Sequence, residues 1–344
     1  MTQPHSFRSS SEAVRTSTGI VIPVYFPPGV DRQVGHDLLA DTVDACVRQV
    51  ERPESVCLSV DGEPYGRDVG EVLSRRFQVR LTWCRRNKGK LQAVRQGMEV
   101  LFEERGHDYL AALDADGDHF PHELANGIRS AQYARRHDPD LEVLVLGRRI
   151  SRHRPMGFMR GEMEELADRV LLDALTYWAT VRGAPLRLEY ATVLEEFPDF
   201  HSGLKILTRG LARQVFLTEP NLCGGTEDAY FTHGCESVVT VESLLAGGCL
   251  VVFNRTTLNE PLISSFGLLE RTRMVADKIV WPCRRLGIPG HFVRQWLRNH
   301  LPRLLLSTLT PQGREELKQI RRLVLEDLGL EDAADEPIEA PLIV

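Results

Sequence analysis

Tyr109-Leu110-Ala111-Ala112-Leu113-Asp114-Ala115-Asp116-Gly117-Asp118-His119-Phe120 is the stretch on which the reading of the chain turns. A short apolar run leads straight into three acids. The run has the pattern of a buried central strand, and carboxylates at its end lie where an open α/β sheet places its ligand crevice. Side chains at i and i+2 of extended backbone point the same way, so the acids converge. Converging carboxylates repel, which raises a pKa or calls for a cation, and all-oxygen ligands suit Mg2+ or Mn2+. The competing use of such a segment is a solvated turn, because Asp-Gly is a common turn pair.

Upstream, Gly19 to Phe26 predicts a strand that breaks at Pro27-Pro28-Gly29. Leu38, Leu39, Val43, Cys46, Val47 and Val50 mark one stripe of a helix. Val56 to Val60 is a second strand ending in Asp61-Gly62, and a short helix over Arg67 to Phe77 leads to a third strand, Val79 to Cys84. The basic loop Arg85 to Lys90 opens a helix with Leu91, Val94, Met98, Leu101 and Phe102 on its core face. Downstream of the acids comes a helix carrying Leu124, Ile128, Ala131 and Ala134, then a strand from Val143 to Leu146 followed by Gly147-Arg148-Arg149. This alternation predicts an α/β fold with a mostly parallel sheet flanked by helices.

The second half is less regular. The pattern predicts a long helix through Glu162 to Arg182, a strand over His201 to Leu207, a short helix over Leu211 to Phe216 and a helix after Thr226-Glu227-Asp228. Val238 to Val241 and Cys249 to Phe253 are strand candidates. The expected organisation is a mobile tail over 1–17, an α/β domain over 18–265, a C-terminal helical extension over 266–330 and a loose acidic tail over 331–344.

A net charge of −6 argues against wholesale nucleic-acid binding, which needs a basic face. The seven cysteines show no zinc or CxxC spacing, so buried reduced thiols are expected. No apolar run is long enough to span a bilayer, and the N-terminus has no signal-peptide core, which together predict a cytoplasmic protein without a transmembrane anchor. The stripe Phe292, Trp296, Leu297, Leu301 and Leu304, with Arg294, Arg298 and Arg303 nearby, is suited to packing on the main domain, to self-association or to a peripheral membrane contact.

Five segments recur in a recognisable order: Ile20-Val21-Ile22-Pro23-Val24-Tyr25; Ser59-Val60-Asp61-Gly62; Asn87-x-Gly89-x3-Ala93-x-Arg95-x-Gly97; Leu113-Asp114-Ala115-Asp116; and Gly225-Thr226-Glu227-Asp228. Together they resemble the family-2 glycosyltransferases of the GT-A fold, over roughly residues 18–255. Arg95 departs from the family pattern, where asparagine is usual. The resemblance implies a metal-dependent, inverting hexosyltransferase that moves a sugar from a nucleotide-diphospho-sugar donor to an acceptor hydroxyl or phosphate. The acceptor would be a small solute, a glycan or a lipid carrier.

Site roles follow from the resemblance and from chemistry. Pro23 belongs to the opening strand of the donor site. Asp61 can accept hydrogen bonds from a flat base edge, or serve as a turn or cap residue. Lys88 and Lys90, at a loop entering a helix, suit a diphosphate. Asp116 is the first choice for Mg2+ or Mn2+, with Asp114 on the ribose or sharing the metal. The polyprenol-phosphate mannosyltransferase branch has DxDxQ here, and Asp118 stands in the glutamine's place, which suits a third metal ligand. Asp228 is the expected general base, with Glu227 as its alternative; acids are also favoured in a first helical turn for dipole reasons alone. Arg148 and Arg149 could face a phosphate or form a surface pair. His119 and His122 have no third nitrogen or sulfur ligand nearby, which disfavours zinc. Two other classes compete: a GT-A-like nucleotidyltransferase, disfavoured because no Gly-rich loop with an arginine follows the first strand, and a non-catalytic nucleotide- or sugar-binding relative.

Overall fold

The computed structural model describes residues 7–331 and 338, apart from 63–64, 105, 151–152, 192–196 and 258–269, and leaves aside the side chains of 153–156. The boundary expected at 265 and most of the expected acidic tail over 331–344 lie outside the described residues.

Among the described residues seven strands form one sheet: β1 (Thr18–Val24), β2 (Val56–Asp61), β3 (Arg80–Cys84), β4 (Tyr109–Ala112), β5 (Val143–Arg149), β6 (Lys205–Thr208) and β7 (Cys249–Arg255), in the order β3-β2-β1-β4-β6-β5-β7. β6 runs antiparallel to β4 and β5, and the remaining pairs are parallel. The helices are α1 (Phe7–Ser17), α2 (Arg32–Val47), α3 (Gly66–Phe77), α4 (Lys90–Phe102), α5 (Leu124–Ala134), α6 (His153–Arg182), α7 (Arg209–Phe216), α8 (Cys235–Leu245), α9 (Arg271–Arg285), α10 (Gly290–His300), α11 (Leu306–Leu309) and α12 (Gly313–Asp327). This is the expected α/β architecture, a mostly parallel sheet flanked by helices, with helices added at the C-terminal end.

Strand alternation sorts the core into two layers. Ile20, Ile22 and Val24 of β1 join the core under α2, α3 and α5. Val21, between them, joins the opposite core with α4, α6, α8 and α9. Burial on both faces explains why β1 and β2 read as unbroken apolar runs rather than as alternating ones.

Two expectations change. Residues 7–17 are a helix and not a mobile tail: α1 lies on α5, with Val14 and Ser10 buried. Its apolar side is too short to leave a periodic signal in the sequence. Val238–Val241, expected as a strand, lies within α8. Strand propensity describes a half-buried pleated surface, and here the β-branched residues are packed on a helix, where Ser237 and Thr240 bond back to Gly234 O and Glu236 O. The C-terminal helices also share the main core. Val275, Ala276, Ile279 and Trp281 of α9 join the cluster under the sheet, and Trp281 donates to Asn221 O at 3.0 Å. The Phe292–Trp296 stripe of α10 meets Tyr177 of α6, with ring centroids 4.7 and 6.3 Å away. All seven cysteines are free thiols, five of them buried. No helix among the described residues is long and apolar enough to cross a membrane.

Gly97 fixes how closely α4 lies on the sheet. A Cβ there would stand 2.4 Å from Val21 Cγ1 and 3.3 Å from Ser59 Cβ. Ala gains about 1 kcal/mol over Gly as a helix former, but overpacking a filled core costs about 1–3 kcal/mol. Gly97→Ala is therefore expected to lower the urea midpoint, and an unchanged or raised midpoint would show that α4 has room to move.

Candidate functional site

The site begins where β1 and β4 part. Their pairing ends at Val21↔Ala112, with one further bond from Leu113 N to Val21 O at 3.0 Å. Pro23, the next residue of β1 facing that ladder, has no N–H to extend it. Beyond this point the acidic segment leaves the sheet, and a cavity of about 590 Å³ opens over the carboxyl ends of β1, β2 and β4. Such a volume suits a small-molecule ligand. One wall is apolar: Val24, Phe26, Pro27, Pro28 and Leu38, with Phe26 stacked on Tyr65 at 5.0 Å. The other is charged, from Asp61, Lys90, Asp114 and Asp116 across to Arg160, Glu164, Glu236 and Lys278.

Lys90, the first residue of α4, bridges this charged wall. Its Nζ lies 2.7 Å from Asp114 Oδ1 and 2.9 Å from Glu236 Oε1. Burial works against its charge, but the two carboxylates hold the ammonium well above the ordinary lysine range. Burial likewise works to raise Asp114, and Lys90 overrides it, keeping that carboxyl below the usual range. The Asp114 N–H donates to His119 Nδ1 at 2.9 Å, and burial keeps the His119 ring neutral. Gly203 backs Asp114, since a Cβ there would stand 2.7 Å from Oδ2.

Asp116 differs. Its Oδ1 accepts the Asp118 N–H at 3.1 Å, a short turn contact. Burial, and then the charge of Asp114, push its carboxyl upward. A carboxylate raised in this way beside a second one is a place that gains from a cation. Among the described residues no group of three or more Asp, Glu, His or Cys side chains could hold a metal. Two carboxylates fit Mg2+ or Mn2+ only where substrate phosphates and waters complete the shell, the usual mode for Mg2+. Asp118, expected as a third ligand, is instead ion-paired with Arg255, Nη2 to Oδ2 at 2.9 Å, and its carbonyl accepts from Arg255 Nη1 at 3.0 Å.

Asp61 is buried and organises the loop before α4. It accepts the Lys88 and Gly89 N–H groups at 2.8 Å each and the Cys84 thiol at 3.2 Å. Gly89 is the residue this loop demands: its φ is +99°, and a Cβ would stand 2.5 Å from Thr232 Oγ1 and 2.6 Å from the Phe231 carbonyl. The motif's glycines are thus explained by close approach. Arg95, the departure from the family pattern, is buried, and its guanidinium donates to Thr218 O at 2.6 Å.

Not every expected residue arrives. The Lys88 side chain is exposed and outside the cavity lining, and only its N–H contributes. Arg148 donates to Asn254 Oδ1 of β7 at 2.8 Å and does not line the cavity. The alternation of β5 turns its neighbour inward, where Arg149 pairs with Asp199 and lies 2.9 Å from Glu164. Glu227 and Asp228 are exposed and do not line the cavity. Thr226 Oγ1 caps the Ala229 N–H at 3.1 Å, and the wide helical turn Asp228–His233 then carries Thr232 and His233 to the cavity. Glu236 and His233 were missed because a lone His and a Glu leading into an apparent strand give no spacing signal. His201 is fully buried and bound to Asp168 at 2.7 Å.

Asp61→Asn would turn one acceptor oxygen into a donor facing a backbone N–H. Leaving such a buried group unmatched costs about 1–3 kcal/mol. Thermal and urea unfolding should show that loss in the absence of any ligand; an unchanged stability would mean that Asp61 does not anchor the loop.

No protein-family model and no curated protein sequence matches the chain. Among solved structures it is similar to the crystal structure of S. aureus TarS 1-349, at 11% sequence identity and a TM-score of 0.39, over 90% of each chain. A superposition at that level carries no residue roles from one chain to the other.

Proposed function

We propose that the chain is an inverting, metal-dependent family-2 glycosyltransferase that moves a sugar from a nucleotide-diphospho-sugar to an acceptor hydroxyl or phosphate. The observation that carries this reading is the convergence of Asp61, Lys90, Asp114 and Asp116 on one cavity at the sheet's carboxyl rim. The apolar wall of Val24, Phe26 and Pro27 offers a flat surface to a nucleobase, and Asp61 Oδ2, which accepts one N–H, keeps a lone pair for its edge. Asp116, with Asp114, would hold Mg2+ or Mn2+ against the diphosphate. Bound there, the ion would supply charge neutralisation for the departing nucleoside diphosphate. An ammonium has three donors, so Lys90 keeps one for a phosphate oxygen after serving Asp114 and Glu236. The acceptor enters from the side of Arg160, His233 and Lys278, where the cavity wall is polar.

UDP and GDP, each with and without Mn2+, provide a first test. A ligand that binds only the folded chain stabilises it by mass action, by about 2.7 kcal/mol at a hundredfold excess over Kd, and so raises its melting temperature. One of the two is expected to stabilise the chain, more strongly with Mn2+, and Asp116→Asn is expected to remove the Mn2+ increment. Incubation with nucleotide sugars should then release a nucleoside diphosphate. Release of pyrophosphate from a nucleoside triphosphate would favour nucleotidyl transfer, and no turnover with any donor would leave only the binding-protein alternative.

A further inference from the structure

An inverting transfer needs a proton acceptor behind the acceptor hydroxyl, and most carboxylates on the cavity wall are already engaged. Asp114 and Glu236 share Lys90. Glu164 lies 2.9 Å from Arg149, 3.2 Å from Arg160 and 3.4 Å from Lys278. Asp116 is the carboxylate reserved for the ion. Asp61 holds the Lys88 and Gly89 N–H groups and is assigned to the nucleobase, which leaves His233 as the remaining proton acceptor on the described wall.

His233 is held as a base would be. Its Nδ1 lies 2.6 Å from Asp277 Oδ2. Asp277 is buried on α9, and its other oxygen accepts from Arg273 Nε at 2.9 Å, one helical turn earlier. Arg273 is anchored in turn on Asp327 of α12. A carboxylate on Nδ1 selects the tautomer with its proton there and leaves Nε2 with the lone pair. Nucleophile-activating histidines elsewhere are oriented by a third group in this way. Burial works to raise the Asp277 carboxyl, and His233 and Arg273 keep it low, hence ionised. The wide turn Asp228–His233 delivers the ring to the cavity while it leaves Asp228 outside.

We propose that His233, oriented by Asp277, is the general base of the transfer, taking the role that the motif suggested for Asp228. The inference rests on the glycosyltransferase reading above and deepens it. In the step, His233 Nε2 takes the proton of the acceptor hydroxyl as its oxygen bonds to the anomeric carbon. The bond from that carbon to the diphosphate oxygen breaks, and its electron pair leaves with the nucleoside diphosphate. The imidazolium then returns its proton to solvent. Asp277 touches no substrate and is a positioning residue.

The experiment uses the full chain, Mn2+ and whichever nucleotide sugar it turns over, with water as the acceptor. His233→Ala is expected to lower kcat for nucleoside diphosphate release by about 10²–10⁴-fold, the usual worth of a positioned base. Thermal stabilisation by the nucleoside diphosphate with Mn2+ should be retained. Added imidazole should restore part of the rate, because the vacated space opens on the cavity. Asp277→Asn should lower kcat in the same direction without loss of nucleotide stabilisation. His233→Ala turnover within about threefold of the parent would overturn the assignment, a change too small for a lost base. So would a loss that imidazole does not restore and that comes with lost nucleotide binding, or a loss seen with Asp228→Asn and not with His233→Ala. Should the parent chain itself release no nucleoside diphosphate from any donor, the glycosyltransferase reading fails first, and this assignment falls with it.

Discussion

The ammonium of Lys90, shared between Asp114 and Glu236, is the contact on which the site depends. It ties three pieces of chain together: the first turn of α4, the acidic segment after β4 and the start of α8. Two carboxylates this close to one another in a poorly solvated cavity would repel, and the lysine between them is what makes the arrangement tolerable. A buried charge that loses its partner is strongly destabilising. Position 90 is therefore constrained by folding as well as by any ligand, and the same pairing leaves Asp116 outside the Lys90 bridge.

The rest of the fold brings these pieces to one place. Pro23 ends the ladder between β1 and β4, which lets the acids leave the sheet. Gly89 and Gly97 bring α4 down onto the sheet and onto the turn that carries Thr232. Behind the cavity, Arg149, Glu164, Asp199 and Lys278 form a buried ion network that joins β5, α6, the segment before β6 and α9. That network makes the C-terminal helices a wall of the cavity rather than an appendage, because Lys278 and Met274 of α9 line it.

Much of this was legible in the chain. The order of strands and helices up to β5 followed from periodicity and turn residues, and Asp61, Lys90, Asp114, Asp116 and Pro23 all line one cavity. The failures have physical causes. Lys88 and Arg148 were chosen by charge, yet local chain direction turns one basic side chain out and another in, so Lys90 lines the cavity and, along β5, Arg149 is buried while Arg148 is not. Asp118 was chosen because it stands where the resembled branch has a glutamine, but Gly117 takes a φ of +80° and the extended alternation of the acids ends there. Arg255, far away in sequence, then claims the carboxylate. The run Val238–Val241 is strand-like in composition and helical in fact, because packing overrode propensity.

By itself the sequence determined the α/β alternation, the acidic rim of the central strand and the glycine positions where backbone and side chain approach closely. These are local matters: periodicity, turn chemistry and the steric need for a missing Cβ. Only the tertiary structure decided which carboxylate is neutralised by which cation, and that the histidine at 233 is backed by an aspartate 44 positions further on. Charge pairing in a cavity depends on distances of about 3 Å between groups that are remote along the chain, and no spacing within a segment encodes those.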